Sequence, residues 1–225
     1  MWSKVEICLI SLAALAFISV AHPQETPVTS SPTASPPRTV RFTFVPPPLE
    51  GTLSLGIYNP AGKLVRVLHQ EAELDEFTVA ADGLATEWDG KSDDGADLPA
   101  GKYRARGYAV GHCKIEDIGS APHGWPADAA DRLTIKLVRN ALSKKTSATV
   151  DLAVSCDDEN CFLKTADDLP LLTVSDRTDV WRVALAKRSD TTVDLFQDDG
   201  DTVDQLRVSN VNQMMAFDCG EIELK

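Results

Sequence analysis

Apolar and polar residues alternate with period two along much of the chain after residue 38, the pattern of half-buried β-strands. Residues 40–45 (VRFTFV) alternate in this way and stop at Pro46-Pro47-Pro48. Residues 53–58 (LSLGIY) and 63–68 (KLVRVL) flank Asn59-Pro60-Ala61-Gly62, a turn signal, and together predict a hairpin. Shorter strands are predicted at 77–79 and 84–88. A polar, Gly-punctuated loop follows over 89–97, and Pro99-Ala100-Gly101 turns the chain into a strand over 102–110. Strands separated by turns every ~8–12 residues predict a β-sandwich. No amphipathic helix of convincing length interrupts the pattern.

Three motifs in this segment occur in a fixed order. They are residues 55–66 (LGIYNPAGKLVR), then Trp88-Asp89-Gly90-Lys91 with Asp94-Gly95, then Leu98-Pro99-Ala100-Gly101-Lys102-Tyr103. Together they resemble the FlgD-type immunoglobulin-like domains. The first is similar to that family's IYD-x-x-G-x-LVR hairpin, the second to its WDG-(K/R)-x-x-x-G loop, the third to its hP-x-G-x-Y lead into the last strand. The resemblance covers about 38–111, a third of the chain. Residues 73–84 depart from it, with an extra acidic stretch before Asp82-Gly83. It implies an Ig-like sandwich and a non-catalytic module, of the kind found in flagellar hook-capping proteins and within larger exported bacterial proteins. The positions that carry it are Tyr58, Gly62, Trp88, Asp89, Gly90, Gly95, Pro99, Gly101 and Tyr103. Read from the residues alone, their roles are structural. Trp88 supplies a large apolar body and needs a partner for its indole N–H. The Asp-Gly pairs are turn formers that tolerate positive φ. A hook-cap role for the whole chain is not expected, given its leader-like start and its C-terminal half.

Residues 112–131 (HCKIEDIGSAPHGWPADAAD) read as a connector, with Trp125 packed where two domains meet. Beyond it come short β-like runs at 132–138, 148–154, 161–165, 169–174, 180–185, 193–196, 205–208, 214–217 and 221–224, joined by Asp/Asn/Ser-rich turns. Thr149-Val150-Asp151-Leu152 recurs as Thr192-Val193-Asp194-Leu195. A period of ~40–45 residues with about four strands each is what propeller blades show. The segment has room for two blades, whereas a closed propeller needs about four, and a half-propeller would leave unpaired edges. The expected fold class is therefore all-β: an Ig-like β-sandwich over 38–111, a connector over 112–131, and a second small, acidic β domain over 132–225, built as propeller-like repeats or as a sandwich.

The start of the chain is of another kind. Residues 7–20 (ICLISLAALAFISV) are apolar, follow Lys4 and precede Ala21 in a small-residue context. Such a run suits a signal-peptide core and is short of the ~20 residues a spanning helix needs. Residues 22–37 are Pro-, Ser- and Thr-rich without apolar period, a tether or linker. The mature protein is thus expected to be secreted, periplasmic or at the cell surface, with no membrane span after removal of residues 1–21.

Cysteine usage fits that compartment. Without Cys8, four remain. Cys156 and Cys161 flank the polar loop Asp157-Asp158-Glu159-Asn160, and a hairpin there would bring them together. Cys113 with Cys219 would then close a loop of ~100 residues, a constraint of several kcal/mol in the chain-entropy model. Free buried thiols are one alternative. A metal site is the other, although there is no CxxC pair and the spacing matches no zinc pattern.

The formal net charge is -12. It argues against nucleic acid as a partner. It is also uneven: from Val150 onward there are seven basic and seventeen acidic residues. The densest knot holds Asp194, Asp198, Asp199, Asp201 and Asp204. With Gly200 it makes Asp194, Asp198, Asp199 and Asp201 candidate calcium ligands, but the EF-hand spacing is not met, and a solvated acidic turn is the plainer expectation. Catalysis finds no motif: there is no nucleophile elbow, HExxH or phosphate loop, and His112 and His123 offer Cys113 a partner only on paper. The chain is expected to be a non-enzymatic spacer or adhesion module, meeting other extracytoplasmic proteins or a cell-surface polymer and needing no cofactor. The alternative is a ligand-binding accessory fragment of an extracytoplasmic carbohydrate-active or other enzyme, with calcium in its acidic turns.

Overall fold

Strand β2 (Thr52–Tyr58) lies between β3 (Leu64–Ala72) and β6 (Gly101–Val110), so both its backbone edges are paired. Its alternation sends Leu53, Leu55 and Ile57 into one core, with Phe44, Trp88, Tyr103 and Phe217. The opposite face is covered too, which explains why it carries Ser54 and Gly56. Ser54 is fully buried, and its Oγ accepts the Glu71 N–H. A β-carbon on Gly56 would meet Leu64 Cδ1 at 2.5 Å and Leu169 Cδ1 at 3.2 Å. The computed structural model describes residues 38–121, 124–142 and 148–225, and residues 37–225 form one compact unit. The expected leader and Pro-rich tether lie outside the described residues.

Among the described residues the fold is all-β. One sheet of the first sandwich has the order β1-β5-β4, from β1 (Val40–Phe44), β5 (Gly83–Trp88) and β4 (Thr78–Ala80). The facing sheet has the order β15-β6-β2-β3, and β15 (Met214–Leu224) is the last strand of the chain. The first sandwich is therefore discontinuous and does not end at residue 111. The reason is the free edge of β6, which would expose a ladder of N–H and C=O groups. β15 pairs along it from Met214 opposite Val110 to Leu224 opposite Gly101, and adds Phe217, Ile222 and Leu224 to the core. The two runs expected at 214–217 and 221–224 are one strand. A bulge between Asp218 and Gly220, with Gly220 at φ 91°, breaks its alternation.

The second sandwich pairs two four-stranded sheets. A meander of β8 (Arg132–Lys136), β9 (Thr149–Cys156), β10 (Cys161–Thr165) and β11 (Pro170–Ser175) makes one. β12 (Arg182–Lys187), β13 (Thr192–Asp198) and β14 (Val203–Ser209) make the other, completed by β7 (Lys114–Ala121) on β14. β7 corrects the connector expected at 112–131. It is an edge strand held by its backbone ladder while nearly all its side chains stay exposed, so hydrophobic patterning carried no sign of it. The sheets share a core of Ile135, Val150, Leu152 and Leu163 from one and Leu185, Val193, Leu195 and Val208 from the other. The repeated Thr-Val-Asp-Leu thus marks equivalent inner strands, β9 and β13, of one sandwich. It does not mark successive propeller blades.

Three contacts weld the sandwiches. Val110 and Met214, at the base of the β6–β15 pair, belong to the second core. Glu71, at φ 47°, turns its carboxylate to accept the Thr173 N–H (2.7 Å) and Oγ1–H (2.6 Å) on β11. Arg106 lies over the Tyr58 ring (3.9 Å to its centroid) and donates to Asp167 Oδ2 at 2.5 Å. Trp125, expected at this junction, is elsewhere: it packs on Ala186, Phe196 and Val203 on the outer face of the second sandwich.

Because β15 closes one sandwich and starts in the core of the other, a chain truncated after Gln213 should lose both. Its thermal melt followed by circular dichroism should show no cooperative transition. A surviving transition would mean that the second sandwich folds without it.

Candidate functional site

Along β6 the side chains of Arg104, Arg106 and Tyr108 point to one face, because strand residues two apart share a side. They line a cleft of about 1130 Å³ together with Asn140, Asp167 and Asp218. The cations in it are already matched. Arg104 Nε donates to both Asp218 oxygens (3.0 and 2.9 Å), and its Nη2 also contacts Asp218. Arg106 is held by Asp167, whose Oδ1 in turn accepts Thr165 Oγ1–H. Asn140 is pinned by its own backbone partners, donating from Nδ2 to the Ala216 carbonyl at 3.0 Å and accepting the Leu142 N–H. The RARGY run on β6 was the visible signal for this cleft, but its partners Asp167 and Asp218 lie far along the chain.

Cys219 borders the same cleft. Burial, reinforced by the Asp218 charge, pushes its thiol up to about 12. Tyr58 and Tyr108 are raised as well, first by burial and then by the charge of Asp167. Each group therefore stays in its neutral form near pH 7, which suits hydrogen bonding and gives no activated nucleophile.

A second groove, of about 660 Å³, lies by the start of β2 and the ends of β3 and β6. Glu50, Glu71, Glu73, Asp75, His112 and Cys113 border it. Burial pushes the Cys113 thiol up to about 11, with the Glu71 charge adding to the rise, and its S–H is aimed at the Asn210 carbonyl (3.6 Å). No histidine partners it among the described residues, and His123 lies outside them.

Among the described residues the cysteines separate into one pair and two free thiols. Cys156 and Cys161 form a disulfide across the β9–β10 hairpin, where they face each other in register with Cα atoms 4.0 Å apart. Cys113 and Cys219 are not joined. Cys113 packs on the second core and Cys219 on the first, so the pairing expected between them is not made.

The candidate calcium ligands do not converge. Asp194 is fully buried and is held by Arg188 Nε (2.6 Å), Arg207 Nε (2.8 Å) and Gln205 Nε2 (2.9 Å). Burial alone would raise its carboxyl, but the bonds from Arg207, Arg188 and Gln205 outweigh it and hold the group below the usual carboxylate range. Asp198 accepts the N–H groups of Trp181 Nε1 and Gly200. Asp199 takes the backbone N–H groups of Thr202 and Asp201 and a bond from Arg177, which together hold it well below the ordinary value. Asp201 sits exposed in the same turn. Among the described residues no three His, Cys, Asp or Glu side chains converge as a metal cage requires.

The motif positions of the first sandwich take structural places. Trp88 is fully buried, donates its indole N–H to the Lys91 carbonyl (2.8 Å) and meets Tyr103 edge-on at 5.0 Å. Tyr103 donates its hydroxyl to the Pro99 carbonyl. Asp89 Oδ1 accepts the Lys91 N–H, and Gly62, Gly90, Gly95 and Gly101 all have positive φ. Comparison of the chain with known protein families, with curated proteins and with solved structures finds no match.

Replacing both Cys156 and Cys161 by Ser should cost about 2 kcal/mol of stability in the chain-entropy model, read by urea titration, while thiol counting on the wild type without residues 1–21, and so without Cys8, finds two free groups. Asp194→Ala should cost about 1–3 kcal/mol, because the hydrogen bonds from Arg188, Arg207 and Gln205 are lost while both arginines stay partly solvated. The pH dependence has a definite sign. Folded Asp194 has a depressed pKa, so its contribution is present above ~3.9, the unfolded value, and is lost as pH falls through the folded one. Asp194→Asn should flatten this acid limb of the stability curve.

Proposed function

We propose that the chain is an exported, non-catalytic β module that acts as a spacer or binding module outside the cytoplasm. Its first sandwich serves as the FlgD-type Ig-like unit it resembles, and residues 22–37 serve as the tether. The observation that carries this reading is the closure of the first sandwich by β15. The chain passes between the sandwiches twice, after β6 and before β15, which suits a stiff spacer better than two domains on a hinge. The state of the clefts supports it: their arginines are paired within the molecule and their thiols are raised by burial. Such surfaces suit recognition through hydrogen bonds and shape. The Cys156–Cys161 disulfide fits an oxidising compartment.

The test is expression of the full chain in a bacterial host, followed by mass spectrometry and limited proteolysis of the purified product. The mature N-terminus should lie near His22, the disulfide should be intact, and added protease should trim only up to about residue 38. A chain that stays in the cytosol with Met1 retained would overturn the exported reading. Early cleavage within 112–131 would overturn the stiff-spacer reading.

A further inference from the structure

The indole of Trp181 is 75% exposed, yet it is anchored. Its backbone N–H donates to the Asp198 carbonyl (3.0 Å) and its Nε1–H to Asp198 Oδ1 (3.2 Å). The edge carrying Nε1, Cε2 and Cζ2 rests beside Gly200, where an added β-carbon would sit 3.8 Å from the ring. The ring is thus fixed by one edge to the β13–β14 turn while most of its surface faces water. An anchored, exposed tryptophan is the side chain that most often dominates a binding hot spot.

Its surroundings define the partner's charge. Residues 176–182 and 198–204 carry six Asp and two Arg. Neither arginine is available to the indole. Arg177 is engaged by Asp179, Asp199 and Asp204, and Arg182 is stacked on Trp125 at 3.8 Å. Asp198 accepts only from neutral N–H groups. Elsewhere in the chain guanidinium groups already lie on rings: Arg106 over buried Tyr58 and Arg182 over half-buried Trp125. Trp181 has no such cation among the described residues. A guanidinium on its face would gain the attraction of the π-system and the field of the adjacent carboxylates together.

We propose that Trp181 anchors a docking surface for a basic segment of a partner protein, with an arginine side chain laid on the indole and its charge balanced by Asp198 and Asp201. This deepens the binding-module reading and rests on it only for where the partner is met. The surface lies at the β13–β14 turn, and none of its residues lines either cleft.

The experiment titrates the full mature chain with a decapeptide of alternating Arg and Gly by calorimetry, at low salt and at about 0.5 M NaCl, where the Debye length is only a few ångströms. Binding is expected at low salt and should weaken strongly at high salt. Trp181→Ala should weaken it about tenfold, Trp181→Phe less, and Asp201→Asn several-fold. Because Trp181 is exposed, the variants should melt as the wild type does, which separates lost binding from lost fold. Equal affinity of wild type and Trp181→Ala would overturn the proposal and assign the attraction to general acidity. No binding of the peptide would overturn it, as would binding of a neutral oligosaccharide in its place, which would make the ring a sugar platform. A cytosolic chain that still binds the peptide through Trp181 would sink the exported reading and leave this one standing.

Discussion

Everything in this molecule hangs on the antiparallel pairing of β15 with β6. The pair runs from Val110 opposite Met214 to Gly101 opposite Leu224, joining segments more than a hundred residues apart. Without it the larger sheet of the first sandwich would end in an open edge at β6, and Phe217, Ile222 and Leu224 would be missing from its core. The same ladder begins inside the second core, where Val110 and Met214 are buried. One strand therefore serves two hydrophobic clusters. Contacts this distant in sequence delay folding, since loop closure precedes any gain from the contact. The topology couples completion of the first sandwich to synthesis of Met214–Leu224.

The polar contacts between the sandwiches follow from that constraint. Once β15 and β6 are paired, the outer face of their sheet meets β11 and the turn before it. The face is built for this approach. Gly56 leaves room for Leu169, and Gly107 lets β6 and β2 come close, since a β-carbon there would lie 2.1 Å from the Ser54 carbonyl oxygen. Glu71 accepts an unusual positive φ so that its carboxylate reaches the Thr173 N–H and hydroxyl. The cost of that backbone conformation, of order 1–3 kcal/mol, is sustained only because two hydrogen bonds and the surrounding packing hold it.

What the sequence shows and hides divides along the same lines. Period-two alternation with turn signals reveals the strands of the first sandwich and most of the second, because each buries one face against a core. The Cys156–Cys161 hairpin is legible for a similar reason: four polar residues between two strands leave little choice of geometry. Two elements are hidden. β7 has only Ile115 and Ile118 as large apolar residues, and both stay exposed, so its existence depends on the ladder to β14. The partner of β15 is hidden because alternation says that a segment is a strand and never which edge it completes. The clefts inherit this limit. Arg104 and Arg106 stand out on β6, but Asp218 and Asp167 can be matched to them only through the fold.

Charge shows the same principle at the level of energetics. The acidic excess after residue 150 invites a cation, yet three of the chain's own arginines are spent on its carboxylates. Arg188 and Arg207 converge on buried Asp194, and Arg177 serves Asp179, Asp199 and Asp204. Asp194 is structural, because a buried charge is tolerable only when paired. Carboxylates in exposed turns carry no such requirement, since water solvates them at little cost. The net charge of the folded protein is therefore carried by solvated groups, including exposed Asp201 and half-buried Asp198 near Trp181. A uniform acidic surface would repel other copies of the chain and attract any base weakly. An aromatic ring fixed within that field adds shape and a short-range preference, and so turns general acidity into a site that can choose its partner.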